Sequence, residues 1–463
     1  MTNSAPPELL PAGTPGIPVR CVGTADWPAL EASLSPVHRA YLKATDFAPK
    51  AGRLALLPGA DGSLARVLFG LGETEGPGRD RLAAGRLPTL LPPGRYRLEE
   101  AGIDPAEAAL AWLLGSYRFG RYRAAPGERP RLVAPEGVDA AETGRIAAAV
   151  ARGRDLINTP ANDLGPAEIE AEARDLARRH GAEIAVVEGA ALARDFPLVQ
   201  AVGAASVRAP RLIDLAWGPE DAPRVTLVGK GVAFDTGGLD IKPSAGMLLM
   251  KKDMGGAAAA LSAADMVMGA GLRLRLRVIV PAVENAVSGA AFRPGDVLAS
   301  RAGLRVEIGN TDAEGRLILA DALALADADE PEILIDFATL TGAARVALGP
   351  DLPAFFTEDE DLAAAVAAAG LEAADLVWRL PLHAPYARLL DSKVADLNNV
   401  SGGPFAGAIT AALFLRRFAP RTRAHVHFDL YGWNPSTKAG RPEGGEVQTA
   451  RLVYGLLKSR YGR

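Results

Sequence analysis

The chain has 463 residues, of which 49% are hydrophobic and 23% charged, so it carries enough apolar mass for a large folded core. Lys and Arg number 51 against 55 Asp and Glu, a net charge of −4, which excludes a globally basic surface of the kind that binds nucleic acid or anionic membrane by charge alone. One cysteine, Cys21, excludes an intrachain disulfide and fits a reducing compartment.

In chain order, residues 1 to about 20 are rich in Pro and Gly and read as a flexible lead-in. They lack the basic start and apolar run of a secretory signal, no stretch is long and apolar enough to span a membrane, and the cytoplasm is the expected location. RLALLPGADGSLARVLFGLG predicts two strands around an Asp61-Gly62 turn, and a helix is expected to start near Pro105. Residues 1–140 are therefore expected to form a small α/β domain. A helix over 141–157 follows as a linker, and 158–463 is the remaining, larger domain.

From 158 onward helix and strand signals alternate. PAEIEAEARDLARRHG opens with Pro166 and closes on Arg178, Arg179, His180 and Gly181, good start and stop signals for a helix. Strands are predicted in AEIAVVEG, PRLIDLAWG, RVTLVGKG, LRLRLRVIVPAVEN, PEILIDFATLTG and HVHFDLYGW. Helices are predicted in KKDMGGAAAALSAADMVMGAG, RLILADALALADAD, AITAALFLRRFA and GEVQTARLVYGLLKSR. The alternation argues for an α/β fold, with a central mixed sheet covered by helices on both sides.

Ligands in such folds collect at the carboxyl ends of strands, and three segments place polar residues there. In VTLVGKGVAFDTGGLDIKP, Lys230 follows the strand, with Asp235, Asp240 and Lys242 close behind. The glycines resemble a phosphate loop only superficially, because the spacing is not G-x-x-x-x-G-K-[ST]. A buried lysine there is costly unless paired or deprotonated. In MLLMKKDMGGAAAAL, Asp253 stands at the start of a helix, where a favourable dipole contact is the plain alternative reading. Met247, Met250 and Met254 are core residues or the lining of an apolar pocket. In VEIGNTDAEGRLILADALALA, Asp312 and Glu314 are two apart after a strand, and an extended backbone would point both to one side. Four carboxylates sharing one cleft raise one another's pKa, and hard divalent cations relieve this. One carboxylate can bridge two metals about 3.5–4 Å apart. Sequence spacing alone does not bring the four together.

The residues that close this gap form a resemblance. NTDAEGR at 310–316, VGKGVAFDTGG at 228–238, IKP at 241–243, MKKDMGGAA at 250–258, NTPAND at 158–163, TLTGA at 339–343, DLNNV at 396–400 and AGAITAALFL at 406–415 stand in the order found in leucyl aminopeptidases. Over residues 145–463 the chain resembles this family of two-metal, hexameric cytosol aminopeptidases. The resemblance implies removal of N-terminal residues from peptides with a free N-terminus, with apolar side chains preferred. Narrower alternatives are a dipeptidase of the same chemistry, for example on Cys-Gly, and a non-catalytic or DNA-binding hexamer.

It also implies roles. Lys230, Asp235, Asp253 and Glu314 would hold a tighter metal, with Lys230 as a neutral amine, and Asp235, Asp312 and Glu314 a more exchangeable one. Manganese or zinc is expected, with cobalt or magnesium as substitutes. Arg316 would bind bicarbonate as the general base and Lys242 would polarise the substrate carbonyl, both as catalytic residues. Met250, Thr339 and Gly342 would line the first side-chain pocket. A homohexamer built as a dimer of trimers is implied, with no membrane or nucleic-acid partner. His425 and His427 alternate on one strand and read as structural. The tail YGWNPSTKAGRPEGGE, with Tyr431 and Trp433, resembles a bacterial subgroup and departs from the small Ala-Gly pair of many members.

Overall fold

The structure, a computed structural model, describes residues 7–76, 79–99, 102–123 and 127–462. It divides into two compact units. The smaller comprises the described residues up to Ala151 together with Ser436–Glu443, and the larger comprises Arg152–Pro435 and Gly444–Arg463. The division falls inside one continuous helix, Ala140–Asn158.

The smaller unit holds a five-stranded sheet. Its strands are β1 (Ile17–Gly23), β2 (Leu54–Pro58), β3 (Leu64–Gly72), β4 (Gly94–Leu98) and β5 (Pro130–Leu132), in the order β2-β3-β1-β4-β5. The lead-in expected to be flexible is corrected here. Leu10 bridges Val133, and β1 lies between β3 and β4, parallel to both. Pro18 is tolerated because the pairing with β3 begins only at Val19. Residues 1–6 lie outside the described ones. Two helices that the sequence reading did not anticipate, Trp27–Ser33 and Pro36–Ala44, cover one face through Leu30, Leu34 and Leu42. Cys21 is buried in β1, and burial pushes its thiol up to about 12.

The larger unit is built on a nine-stranded mixed sheet. Its strands are β6 (Glu183–Glu188), β7 (Arg211–Trp217), β8 (Arg224–Gly229), β9 (Gly231–Asp235) and β10 (Arg275–Asn285), followed, after the short β11 (Val297–Ala299) and β12 (Arg305–Glu307), by β13 (Ile333–Ala338), β14 (Ala354–Phe356) and β15 (Trp378–Arg379), then β17 (His425–Asp429) after β16 (Leu397–Asn398). The order is β15-β14-β17-β13-β8-β10-β7-β6, with β9 pairing β10. The central run β17-β13-β8-β10 is parallel, and β7 and β14 join it antiparallel. Central parallel strands are covered on both faces, and their sequences are correspondingly near-continuous apolar runs: ILIDFA of β13 is buried at every position, with Asp336 its one polar residue.

The helix Gly255–Gly269 is buried along nearly its whole length, which its Ala- and Gly-rich sequence permits. Its one carboxylate, Asp265, is compensated by three donors at 2.7 Å: Arg152 Nε, Arg179 Nη1 and His180 Nε2. Together they hold the Asp265 carboxyl well below the usual carboxylate range against the opposing effect of burial. Among the described residues, no helix is long and apolar enough to cross a membrane.

Candidate metal centre and substrate cavity

The parallel strands β8, β9, β13 and β17 end on one side of the sheet, and their last residues open a cavity of about 450 Å³. Lys230 directly follows β8, Asp235 ends β9, and Thr339, Leu340 and Thr341 follow β13. Asp253 comes from a 3₁₀ turn, Met250–Met254, that leads into the buried helix. Lys230, Asp235, Lys242, Met250, Asp253, Asp312, Thr339 and Gly342 all line the cavity. Glu314 and Arg316 are buried in the first turn of the helix Glu314–Asp327, outside the lining.

Asp312 and Glu314 do not share an extended backbone. Residues 310–313 form a turn in which Asn310 Oδ1 accepts from the Asp312 N–H at 2.7 Å, and Glu314 is already helical. The turn still brings one ligand oxygen each of Asp235, Asp312 and Glu314 within 4.8 Å of one another. Asn399 braces the turn, accepting from Gly309 N–H at 2.8 Å and donating to the Asn310 carbonyl at 2.7 Å. Thr311 ties it to the 237–240 loop, donating to the Gly237 carbonyl at 2.6 Å and accepting from the Asp240 N–H at 2.8 Å. Gly237, at φ +88°, lets that loop double back, and a Cβ there would press on the Asp240 carbonyl.

Two lysines face the carboxylates. Lys230 Nζ lies 2.8 Å from Asp253 Oδ2 and 3.0 Å from Glu314 Oε1, and donates to the Thr339 carbonyl at 3.0 Å. Lys242 Nζ lies 2.8 Å from Asp235 Oδ2 and also contacts Asp312. Burial lowers both lysine pKa values, but the neighbouring carboxylates outweigh it and hold both well above the usual lysine range. Burial, then the charge of Asp235, pushes Asp312 up to about 6 and Glu314 well above the usual carboxylate range. Asp253 Oδ2, Asp312 Oδ1 and Glu314 Oε1 accept no hydrogen bond despite their burial; only the off-axis ammonium groups are near. Buried oxygens left without donors are what a hard cation satisfies, so the residue set fits divalent metal.

Several supporting residues were not singled out from sequence. Asn285, at the end of β10, donates to Asp235 Oδ1 at 2.8 Å and fixes that carboxylate. Asp429, at the end of β17, accepts from Leu340 N–H at 3.2 Å, Thr341 N–H at 3.0 Å and Thr341 Oγ1 at 2.6 Å, pinning the loop after β13. Both stand at strand carboxyl ends, the positional signal that would have found them. Lys252, Arg345 and Leu430 line the cavity beside Tyr431, and burial pushes Lys252 down to about 8. Arg316 donates to the Asn399 carbonyl at 2.6 Å while its Nε has no partner, and burial lowers it to about 10. His425 and His427 both engage Asp336, at 2.7 and 2.6 Å, and serve to compensate that fully buried carboxylate.

Residues 151–455 match the catalytic domain of the cytosol aminopeptidase family, and residues 17–135 match an M17 aminopeptidase N-terminal domain. A probable cytosol aminopeptidase of Roseiflexus castenholzii is 42% identical over 75% of this chain and 74% of its own. One from Mycobacterium bovis is 38% identical, covering 99% of this chain and 96% of its own. Among solved structures, a cytosol aminopeptidase from Coxiella burnetii is 44% identical with a TM-score of 0.94, covering 98% of this chain and 99% of that one. The bottromycin maturation enzyme BotP, solved in complex with Mn, is 35% identical with a TM-score of 0.86, covering 96% and 99%.

Proposed function

The chain belongs to the cytosol aminopeptidase family, whose members are metal-dependent aminopeptidases, and we propose that it removes the N-terminal residue from peptides with a free α-amino group. The observation that carries this reading is the convergence of Asp235, Asp312 and Glu314 within 4.8 Å in a cavity also lined by Lys230, Lys242 and Asp253. Asp235 and Glu314, with Lys230 and Asp253, would hold one divalent cation, and Asp235 and Glu314, with Asp312, the other. Two divalent cations bound there would supply Lewis acidity and a water acidic enough to be a nucleophile at neutral pH. Manganese or zinc suits this oxygen-rich set with one amine, with cobalt or magnesium as substitutes. The manganese in BotP supports the first choice.

The chain's own residues supply the rest. Lys230 is held charged by its carboxylate neighbours alone, so its role as an amine ligand requires cations on those same carboxylates. Lys242 reaches the cavity from the loop after β9, where its ammonium can stabilise the charge that develops on the scissile carbonyl oxygen. Arg316, buried behind the cavity lining with its Nε unpartnered, would hold a bicarbonate ion, which would supply the general base. Met250, Thr339 and Gly342 form the pocket for the first side chain, with Leu249 and Leu430 adding apolar surface that favours an apolar side-chain stem. A free α-amino group has a lone pair that an internal or acetylated amide lacks, which restricts cleavage to the chain end. The family resemblance supports a homohexamer in the cytoplasm, acting on peptides, within the subgroup that shares the YGWNP…GRPEGGE tail.

The test is a panel of free and N-acetylated X-Gly dipeptides assayed with metal-stripped protein, before and after adding back each metal in bicarbonate buffer. Cleavage of the free peptides only, restored by metal, is expected. A protein inactive with every metal would leave a non-catalytic hexamer as the better reading.

A further inference from the structure

The side-chain pocket is not apolar throughout. Tyr431 follows β17 in the cavity wall, and two cations lie over its ring: Lys252 Nζ at 4.8 Å from the centroid and Arg345 Cζ at 5.0 Å. All three line the same cavity as Met250 and Gly342. The Arg345 guanidinium reaches to 3.8 Å from where a Gly342 Cβ would be, so it hangs over the wall expected to receive the substrate side chain.

Neither cation is paired. Among the described residues, neither the Lys252 ammonium nor the Arg345 guanidinium has a hydrogen-bond or ion-pair partner, although Lys252 is only 5% exposed. A cation–π contact offsets only part of what desolvating an ammonium without hydrogen bonds costs. The two cations also repel each other across one ring. Both deficits are relieved by the same thing, an anion arriving in the cavity. Asp253 also attracts Lys252, but its two oxygens face Lys230 and Thr339 rather than the cations over the ring.

We infer that Arg345 and Lys252 are specificity-determining residues that select peptides whose N-terminal side chain ends in a carboxylate. Glutamate fits best, because its methylene stem lies along the Met250 and Leu430 walls while its carboxylate meets the two cations over Tyr431. This rests on the aminopeptidase reading and narrows it: the apolar walls accept the stem and the cationic lip reads the tip. Glutamine has the same shape without the charge, so the pair Glu and Gln isolates the inference from pocket size.

The experiment compares kcat/KM for Glu-Gly, Gln-Gly, Leu-Gly and Leu-Gly-amide in the metal-loaded protein and in Arg345→Gln. It also compares calorimetric binding of free glutamate and glutamine. A charge-assisted hydrogen bond in a closed pocket predicts Glu-Gly over Gln-Gly by about tenfold to a hundredfold, falling toward unity with added salt. The same order is expected in binding, and Arg345→Gln should erase most of both differences. Arg345 is exposed, so this variant tests recognition without disturbing the core; Lys252→Gln is the second variant and moves the ratio the same way. Gln-Gly cleaved as well as Glu-Gly, with Leu-Gly turned over normally, overturns the inference and leaves the aminopeptidase standing. A preference for Leu-Gly over its amide that Arg345→Gln removes also overturns it, because the cations then read the carboxyl end of a dipeptide. No cleavage of any substrate removes the reading beneath.

Discussion

Ionising Glu314 is costly. Burial and the charges of Asp235, Asp253 and Asp312 all oppose it, while Lys230 and Arg316 favour it. A carboxyl whose folded pKa is raised has its stabilising effect in full below its ordinary pKa, near 4.3, and loses it as pH rises through the folded value. At neutral pH without metal, keeping this carboxyl in the folded state therefore costs stability, whether as ionisation or as proton uptake. Glu314→Gln should raise the melting temperature of the metal-stripped protein, by about 2 °C or more, while abolishing tight metal binding. A scanning calorimetry run with and without manganese reads both, and a lower melting temperature in the stripped variant would contradict the account. Lys242→Met, by contrast, leaves every proposed ligand in place. Its expected effect is a fall in kcat of about 10²–10³-fold with KM little changed, and a purely binding effect would show in KM instead.

At the scale of single elements, the position of Lys230 depends on a glycine in the facing helix. A Cβ at Gly315 would lie 2.4 Å from Lys230 Cε and 2.6 Å from Nζ, so any side chain there displaces the lysine. Alanine is better than glycine in a helix by about 1 kcal/mol, yet Gly315→Ala should cost about tenfold or more in kcat/KM through misplacement. Steady-state kinetics with a circular dichroism melt would separate the two effects. Asp265 is the corresponding case for the fold, since it joins three helices through Arg152, Arg179 and His180. Its removal in Asp265→Ala takes a partner from three part-exposed side chains, Arg179 keeping Asp175, and should cost about 1–3 kcal/mol in urea denaturation. Because the Asp265 pKa is depressed, its contribution is present above the ordinary Asp value near 3.9 and is lost as pH falls through the lower folded value. The wild-type advantage over Asp265→Asn should therefore shrink only below about pH 4.

Much of this element layout was legible because strands and helices of the larger unit alternate with clean stop signals. Gly181, at φ +65°, ends the Pro166–His180 helix where the sequence places it. The turn at 310–313 was not legible as a turn, because its shape is set by Asn399, far along the chain, and by Thr311 reaching back to Gly237. The i, i+2 spacing of Asp312 and Glu314 suggested a common direction, and a turn rather than a strand supplies it. The support from Asn285 and Asp429 was hidden for a similar reason: each is an ordinary polar residue until the sheet order makes its strand a neighbour of the site. The Arg345–Tyr431–Lys252 grouping joins three segments that no periodicity links.

For the whole molecule, the site belongs entirely to the larger unit, and the strand order explains why. In its sheet the parallel run β17-β13-β8-β10 sends successive strand ends to one side, so the loops carrying ligands accumulate there. The smaller unit has its own sheet and core, and the excursion Ser436–Glu443 is part of it although it lies late in the chain. That assignment was beyond sequence reading, since nothing in STKAGRPE separates it in composition from its flanks. Cys21 provides a check on the smaller unit's integrity: fully buried and with its thiol raised to about 12, it should resist iodoacetamide in the native protein and react once denatured.

Two cations held by Lys230, Asp235, Asp253, Asp312 and Glu314 are best sought by titrating manganese into the metal-stripped protein while following bound metal by calorimetry and Leu-Gly hydrolysis in parallel. Two ions bound per chain, activity rising with them, and loss of both on Asp235→Ala are expected. Full activity in the stripped protein, or metal binding that survives Asp235→Ala unchanged, would contradict a two-cation site.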